Sequence, residues 1–255
     1  MALVGRPAPI SRHPSGVWGL RIDGISASHS GLPLFSDLSL EVLSGRWTVL
    51  LGRSGIGKST LMRIAAGLQT PERGACVAIS QGGDAPVAGL VAHMAQSPAL
   101  LPWARIRDNV VIGARLRGDE VDHTRASSLL AAVGMASRAN APPGELSGGE
   151  RQRIALARTL YEDRPIVLMD EPFAGLDALT REDMGTLAKH LLRDRTVLFI
   201  THDPREAIRL ADDVIVLAGR PARIAASIAP PADPDGPAAH DALARIRAAL
   251  GRSGE

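Results

Sequence analysis

The sequence predicts an α/β fold in three parts: a core of buried parallel strands and helices, an antiparallel β subdomain ahead of it, and an α-helical subdomain inserted within it. Three observations predict this. Residues 48–67 (TVLLGRSGIGKSTLMRIAAG) run from four apolar or β-branched residues through a loop with Gly52, Gly55 and Gly57. Apolar Leu61, Ile64, Ala65 and Leu68 then recur at helical spacing, so the stretch reads strand, glycine loop, helix. Short apolar runs at Pro165–Met169 and Thr196–Ile200, each bounded by turn signals, read as further buried strands. Between about 97 and 140 strand signals vanish, and Val110, Ile112, Leu116, Leu129, Leu130 and Val133 fall at helical spacing.

In chain order, residues 1–17 hold Pro7, Pro9 and Pro14 without periodicity and read as a loose leader. Trp18–Ile25 and Leu38–Val42 alternate as antiparallel strands, joined by the turn His29-Ser30-Gly31-Leu32-Pro33. After the strand–loop–helix unit, Pro71-Glu72-Arg73-Gly74 marks a turn into strand Ala75–Ser80. The Gly82-Gly83 loop and strand Leu90–Ala95 come next. The helical insertion is expected over about 97–160. It ends on a helix starting with SGGERQ, which Ser147 caps while Glu150, three residues on, reaches back. Arg181–Leu192 has the spacing of an amphipathic helix. Pro204–Leu210 reads as a helix with Pro at its first position and Asp203 as cap, and Val214–Leu217 as a strand. The main domain is thus expected over 18–220. Beyond it Pro230, Pro231, Pro234 and Pro237 suggest that 221–255 is a linker with a short last helix, Leu243, Ile246 and Leu250.

Composition bounds the reading. A hydrophobic share of 45% with 22% charged residues suits one well-cored domain of 255 residues, and 3% aromatics leaves Leu, Ile, Val and Ala to fill the core. The one cysteine, Cys76, excludes an internal disulfide and fits a reducing compartment. No apolar run approaches the roughly 18 residues of a membrane span, and no secretory leader pattern is present, so a cytoplasmic location is expected. Net charge is +2, and Lys and Arg are scattered rather than blocked, so no nucleic-acid partner is expected.

Gly52, Gly57, Lys58 and Ser59 match the pattern G-x-x-x-x-G-K-[ST] of a P-loop NTPase core. Glycines let backbone N–H groups of Arg53, Ser54, Gly55, Ile56 and Gly57 turn towards phosphate oxygens. The helix N-terminus at Ser59 and Thr60 adds partial positive charge, Lys58 reaches the outer phosphates, and the Ser59 hydroxyl suits Mg²⁺. The strand Ile166–Met169 then runs into Asp170-Glu171. A parallel strand delivers such acids at its carboxyl edge, beside the phosphate loop. Asp170 would hold Mg²⁺, directly or through water, and Glu171 would orient and deprotonate the attacking water.

Leu146-Ser147-Gly148-Gly149-Glu150, with Arg151-Gln152-Arg153 directly after it, resembles the signature motif of ABC-type ATPases. The resemblance covers about 18–220 and implies roles by position. Ser147 and Gly149 would address the γ-phosphate bound by the other subunit of a homodimer. Gln96 would touch the metal and the attacking water, and Ala174-Gly175-Leu176-Asp177 would cross the dimer interface. His202 would contact the γ-phosphate. The family's adenine-stacking aromatic falls on His29, with Phe35 and Trp18 as alternative rings. ATP and Mg²⁺ are the implied cofactors. Leu100-Leu101-Pro102-Trp103, Arg107-Asp108-Asn109-Val110 and Asp177-Ala178-Leu179-Thr180-Arg181 resemble the importer branch for nitrate, sulfonates and taurine, with relatives for thiamine-pyrimidine precursors. Separate permease subunits and, indirectly, a solute-binding protein are the implied partners, with the chain peripheral on the inner face of the membrane. An exporter subunit, or an ABC ATPase acting on ribosomes or DNA, is the alternative.

Overall fold

The computed structural model describes residues 18–80 and 82–251, so the expected leader, 1–17, lies outside the described residues. In chain order the strands are β1 (Gly19–His29), β2 (Leu32–Val42), β3 (Trp47–Gly52), β4 (Arg73–Ile79), β5 (Ala85–Pro86), β6 (Val91–Met94), β7 (Ile166–Asp170), β8 (Thr196–Thr201), β9 (Asp213–Ala218) and β10 (Arg223–Ile228). The helices are α1 (Lys58–Ala65), α2 (Ile106–Val110), α3 (Ile112–Arg117), α4 (His123–Ala132), α5 (Gly148–Tyr161), α6 (Ala178–Leu191), α7 (Pro204–Leu210) and α8 (Pro237–Gly251).

One sheet is antiparallel, in the order β2-β1-β4-β5. The other runs β10-β9-β3-β8-β7-β6, and only its β10–β9 pair is antiparallel. Both faces of this larger sheet are covered, which is why its central strands read as unbroken apolar runs. Alternate residues sort to opposite sides. Val49, Leu51, Val167, Met169, Val197 and Phe199 join a core shared with α2, α4 and α5. Leu50, Ile166, Leu168, Leu198 and Ile200 join a core with α1 and the β1–β2 hairpin.

The structure departs from the sequence expectation at several places, among them the last helix, which is not short but starts at Pro237, expected in the linker, and runs to Gly251. The hairpin strands are longer, because β1 is irregular at several points between Ile22 and Ser28 while its pairing with β2 continues to His29. Such bulges break the alternation that marks a strand. α6 starts at Ala178 rather than Arg181, because Asp177 caps it by accepting from Thr180 N at 3.0 Å. The two-residue β5 is too short to leave a pattern. Residues 223–228, expected as linker, form β10; its RIAASI sequence is half-exposed and alanine-rich, as an edge strand tolerates.

The hairpin and the core meet at the glycine loop. Phe35 of β2 is 1% exposed, and a Cβ added to Gly57 would lie 2.6 Å from its ring. Gly57 also has φ 105°, which a side chain rarely adopts. Close by, Ala222 N donates to Leu34 O at 2.7 Å, tying the turn after β9 to the same hairpin. Gly57→Ala combines backbone strain with a clash against an aromatic ring that has nowhere to go. It is expected to cost about 1–3 kcal/mol of unfolding free energy in urea titrations, a loss Phe35→Leu in the same chain partly restores.

Candidate nucleotide site

The glycine loop leaves β3 and enters α1 with no side chain capping the helix, and within the loop Ile56 N donates to Arg53 O at 3.3 Å. Gly55 and Gly57 have φ 75° and 105°, the left-handed turns that aim consecutive N–H groups inward. Ile56 points the other way, 6% exposed, into the core beneath the loop. Gly52 cannot be larger, since a Cβ there would lie 3.0 Å from Ile56 and 3.2 Å from Leu217 O. Arg53, Ser54 and Ser59 face solvent, and Thr60 is half-buried.

Lys58 is 5% exposed, and its ammonium is held over the loop by Gly52 O at 2.8 Å and Arg53 O at 3.2 Å. Burial lowers its pKa, while the nearby Glu171 and Asp170 carboxylates oppose the shift. The acids therefore share the loop's electrostatic space. They arrive there because β7 and β8 run parallel in register, Asp170 opposite Ile200, and carry their carboxyl ends to one edge. β6 pairs with β7 in the same direction, which delivers Gln96 to that edge.

Glu171 sits at φ 43°, an unusual value for a side chain other than glycine, fixed by its N–H donating to Ile200 O at 3.0 Å. Its Oε2 lies 3.0 Å from Nδ1 of the exposed His202. The His202 turn is itself built: Asp203 N donates to Thr201 Oγ1 at 3.1 Å, and Thr201 also bonds Glu206, whose pKa burial raises. Asp203 caps α7 by accepting from Arg205 N at 2.8 Å, as the sequence suggests.

At the start of α5 the capping box is complete. Glu150 N donates to Ser147 Oγ at 3.2 Å, and Ser147 N donates to Glu150 Oε2 at 2.8 Å. These bonds hold the Glu150 carboxyl below its ordinary pKa. Gly149 and Gly148 pack towards Thr180 and Leu176, so the ends of α5 and α6, with Asp177, form a second cluster. Asp177, expected in an interface loop, is here also the α6 cap.

His29 stands exposed at the tip of the hairpin, opposite an equally exposed Leu32. The alternative rings are placed otherwise: Phe35 is buried under Gly57, and Trp18 is half-buried with an enclosed indole N–H. Two residues to which local spacing gives no role in the site matter for the loop after β6. Asn109, fully buried, accepts from Leu101 N at 2.7 Å and donates to Leu101, Ala104 and Arg105 carbonyls. Its amide ties down the stretch from which Trp103 projects, 81% exposed. Arg158 donates to the carbonyls of Pro98 and Ala99.

Among the described residues no helix is long and apolar enough to cross a membrane. The ABC transporter family model matches residues 35–174. An uncharacterized ABC transporter ATP-binding protein of Haemophilus influenzae is 42% identical over 203 residues, 78% of this chain and 81% of its own. Aliphatic sulfonates import ATP-binding protein SsuB 2 of Pseudomonas aeruginosa is 42% identical over 221 residues, covering 85% and 76%. SsuB of Delftia acidovorans is 39% identical over 246 residues, covering 94% and 95%. A glycine loop, a strand ending in two acids and a capped LSGG helix in one matched domain leave one assignment: the chain belongs to the ABC transporter family.

Proposed function

We propose that this chain is the ATP-hydrolysing subunit of an importer for aliphatic sulfonates or chemically similar solutes, acting with separate permease subunits and peripheral to the membrane. The observation that carries the ATPase reading is the pair Glu171 and His202, 3.0 Å apart at the strand edge that also bears the buried Lys58. The names of the sulfonate-import relatives support the importer and its solute class.

The P-loop amides and Lys58 would bind the phosphates, and the α1 N-terminus would add its partial charge. Glu171 would take a proton from the attacking water, oriented by His202, which also meets the γ-phosphate. Ser59, Asp170 and Gln96 offer a hydroxyl, a carboxylate and an amide oxygen, the all-oxygen set that suits Mg²⁺. Bound there, the ion would neutralise charge developing between the outer phosphates. Ser147 and Gly149 lie on a separate cluster with α6, so they most economically serve the site of a second copy. Two-fold symmetry then gives a homodimer with ATP buried in the interface, closed while the γ-phosphate remains.

Glu171→Gln keeps size and hydrogen bonding but removes the base. It is expected to bind ATP, to lower kcat by about a thousandfold or more, and to run as a dimer with Mg-ATP on size exclusion. Lys58→Ala is expected to fail at nucleotide binding and stay monomeric. Wild-type phosphate release from Glu171→Gln would remove Glu171 from its role.

With Phe35 buried, base stacking falls to the smaller His29 ring, and phosphate contacts supply most of the affinity. ATP and GTP are then expected to bind within about tenfold of each other in competition titrations, a gap of about 1.4 kcal/mol. The exposed Trp103 and half-buried Leu101 form the apolar edge on which a permease helix would dock. Trp103→Glu or Leu101→Glu should abolish uptake in reconstituted vesicles while ATP affinity is unchanged, and normal uptake would move the docking edge elsewhere.

A further inference from the structure

The loop that begins at Gln96 is not free to move alone. Gln152 of α5, 4% exposed, donates from Nε2 to Gln96 O at 3.2 Å. Six residues further along the same helix, Arg158 donates to Pro98 O at 2.5 Å and Ala99 O at 3.1 Å. Three carbonyls within four residues are thus held by two side chains about 9 Å apart along one axis. Ala99 stands at φ 43°, a conformation that persists only where surroundings enforce it. Gln152 Oε1 is buried without a partner, so the side chain is kept in place at the cost of an unmet acceptor. A loop needing only to be covered would not require a half-satisfied amide and a guanidinium.

The same helix begins at Ser147 and Gly149. We propose that Gln152 and Arg158 are positioning residues that lock the Gln96 loop to α5, so that the setting of Gln96 at one nucleotide fixes the setting of the Ser147 end. In a two-fold homodimer that end faces the other nucleotide, and the two sites are joined through one rigid helix rather than through the interface alone. The inference rests on the ATPase reading, and its test separates the two.

In the full chain with Mg-ATP, Gln152→Leu and Arg158→Met are each expected to lower kcat by at least about tenfold. The half-saturating ATP concentration should stay within about threefold. Arg158→Lys, which keeps a cationic donor, should recover part of the loss. Amide exchange on the same proteins distinguishes this from general loosening: residues 97–101 should exchange at least about tenfold faster while β7 and β8 are unchanged. An unaltered kcat, a parallel rise in half-saturation, or faster exchange throughout β7 and β8 would overturn the inference. Should the unaltered chain not hydrolyse ATP, the ATPase reading falls by itself. The clamp is then decided by whether ATP slows exchange at 147–150 in the unaltered chain and fails to in both variants; equal slowing in all three would overturn it.

Discussion

The chemistry of this chain depends on one constraint, the in-register parallel pairing of β3, β8, β7 and β6. Four strands pointing one way place their carboxyl ends on one edge, and each delivers a different group there. β3 gives the glycine loop, β7 the two acids, β8 the histidine and β6 the glutamine. A one-residue slip of β7 would exchange its two faces, sending Leu168 into the core that takes Met169 and turning Asp170 away from Lys58. Register is therefore fixed twice over, by apolar burial on both faces and by the Glu171 N–H bond to Ile200. The positive φ of Glu171 accompanies that bond, and it turns the side chain back towards His202.

Opposing electrostatic effects meet at this edge within the chain itself. Burial of Lys58 disfavours its charge and lowers its pKa, and the two carboxylates nearby offset part of that effect. Two loop carbonyls accept its hydrogens. The same ammonium that spans the loop would meet phosphate oxygens when a nucleotide replaces bulk water, with little reorganisation of the backbone.

Much of this is legible in the sequence. Buried strands between turn signals, the glycine loop, the acid pair and the Ser147–Glu150 capping box are local patterns, written within a few residues of one another. The Asp203 cap and Pro204 start of α7 are readable for the same reason. What the sequence conceals is long-range or irregular. Bulges in β1 hide four residues of strand, and an alanine-rich edge strand passes as linker because its stability comes from pairing with β9. Phe35 reads as a candidate for the base, since nothing in its neighbours says that the ring lies under Gly57. The bonds from Gln152 and Arg158 to the loop after β6 cross 56 to 60 positions, a distance over which residue spacing carries no information.

The meeting of Leu34 with Ala222 has a consequence for how the chain comes to be folded. The β1–β2 hairpin leaves the ribosome before the other described elements, yet its backbone partner Ala222 follows only after β9, and Trp18 O likewise waits for Thr196. Synthesis at about 5–20 residues per second makes that wait on the order of ten seconds or more. During it the hairpin's apolar face, Leu20, Ile22 and Leu40, lacks Leu198 and Ile200 of β8 and Ile215 and Leu217 of β9, which complete its core. An N-terminal fragment ending before β8 would thus expose Leu50 and its neighbours along an open strand edge. The nascent chain spends that interval as an incomplete sheet, which closes only when β8, β9 and the turn at Ala222 have been made.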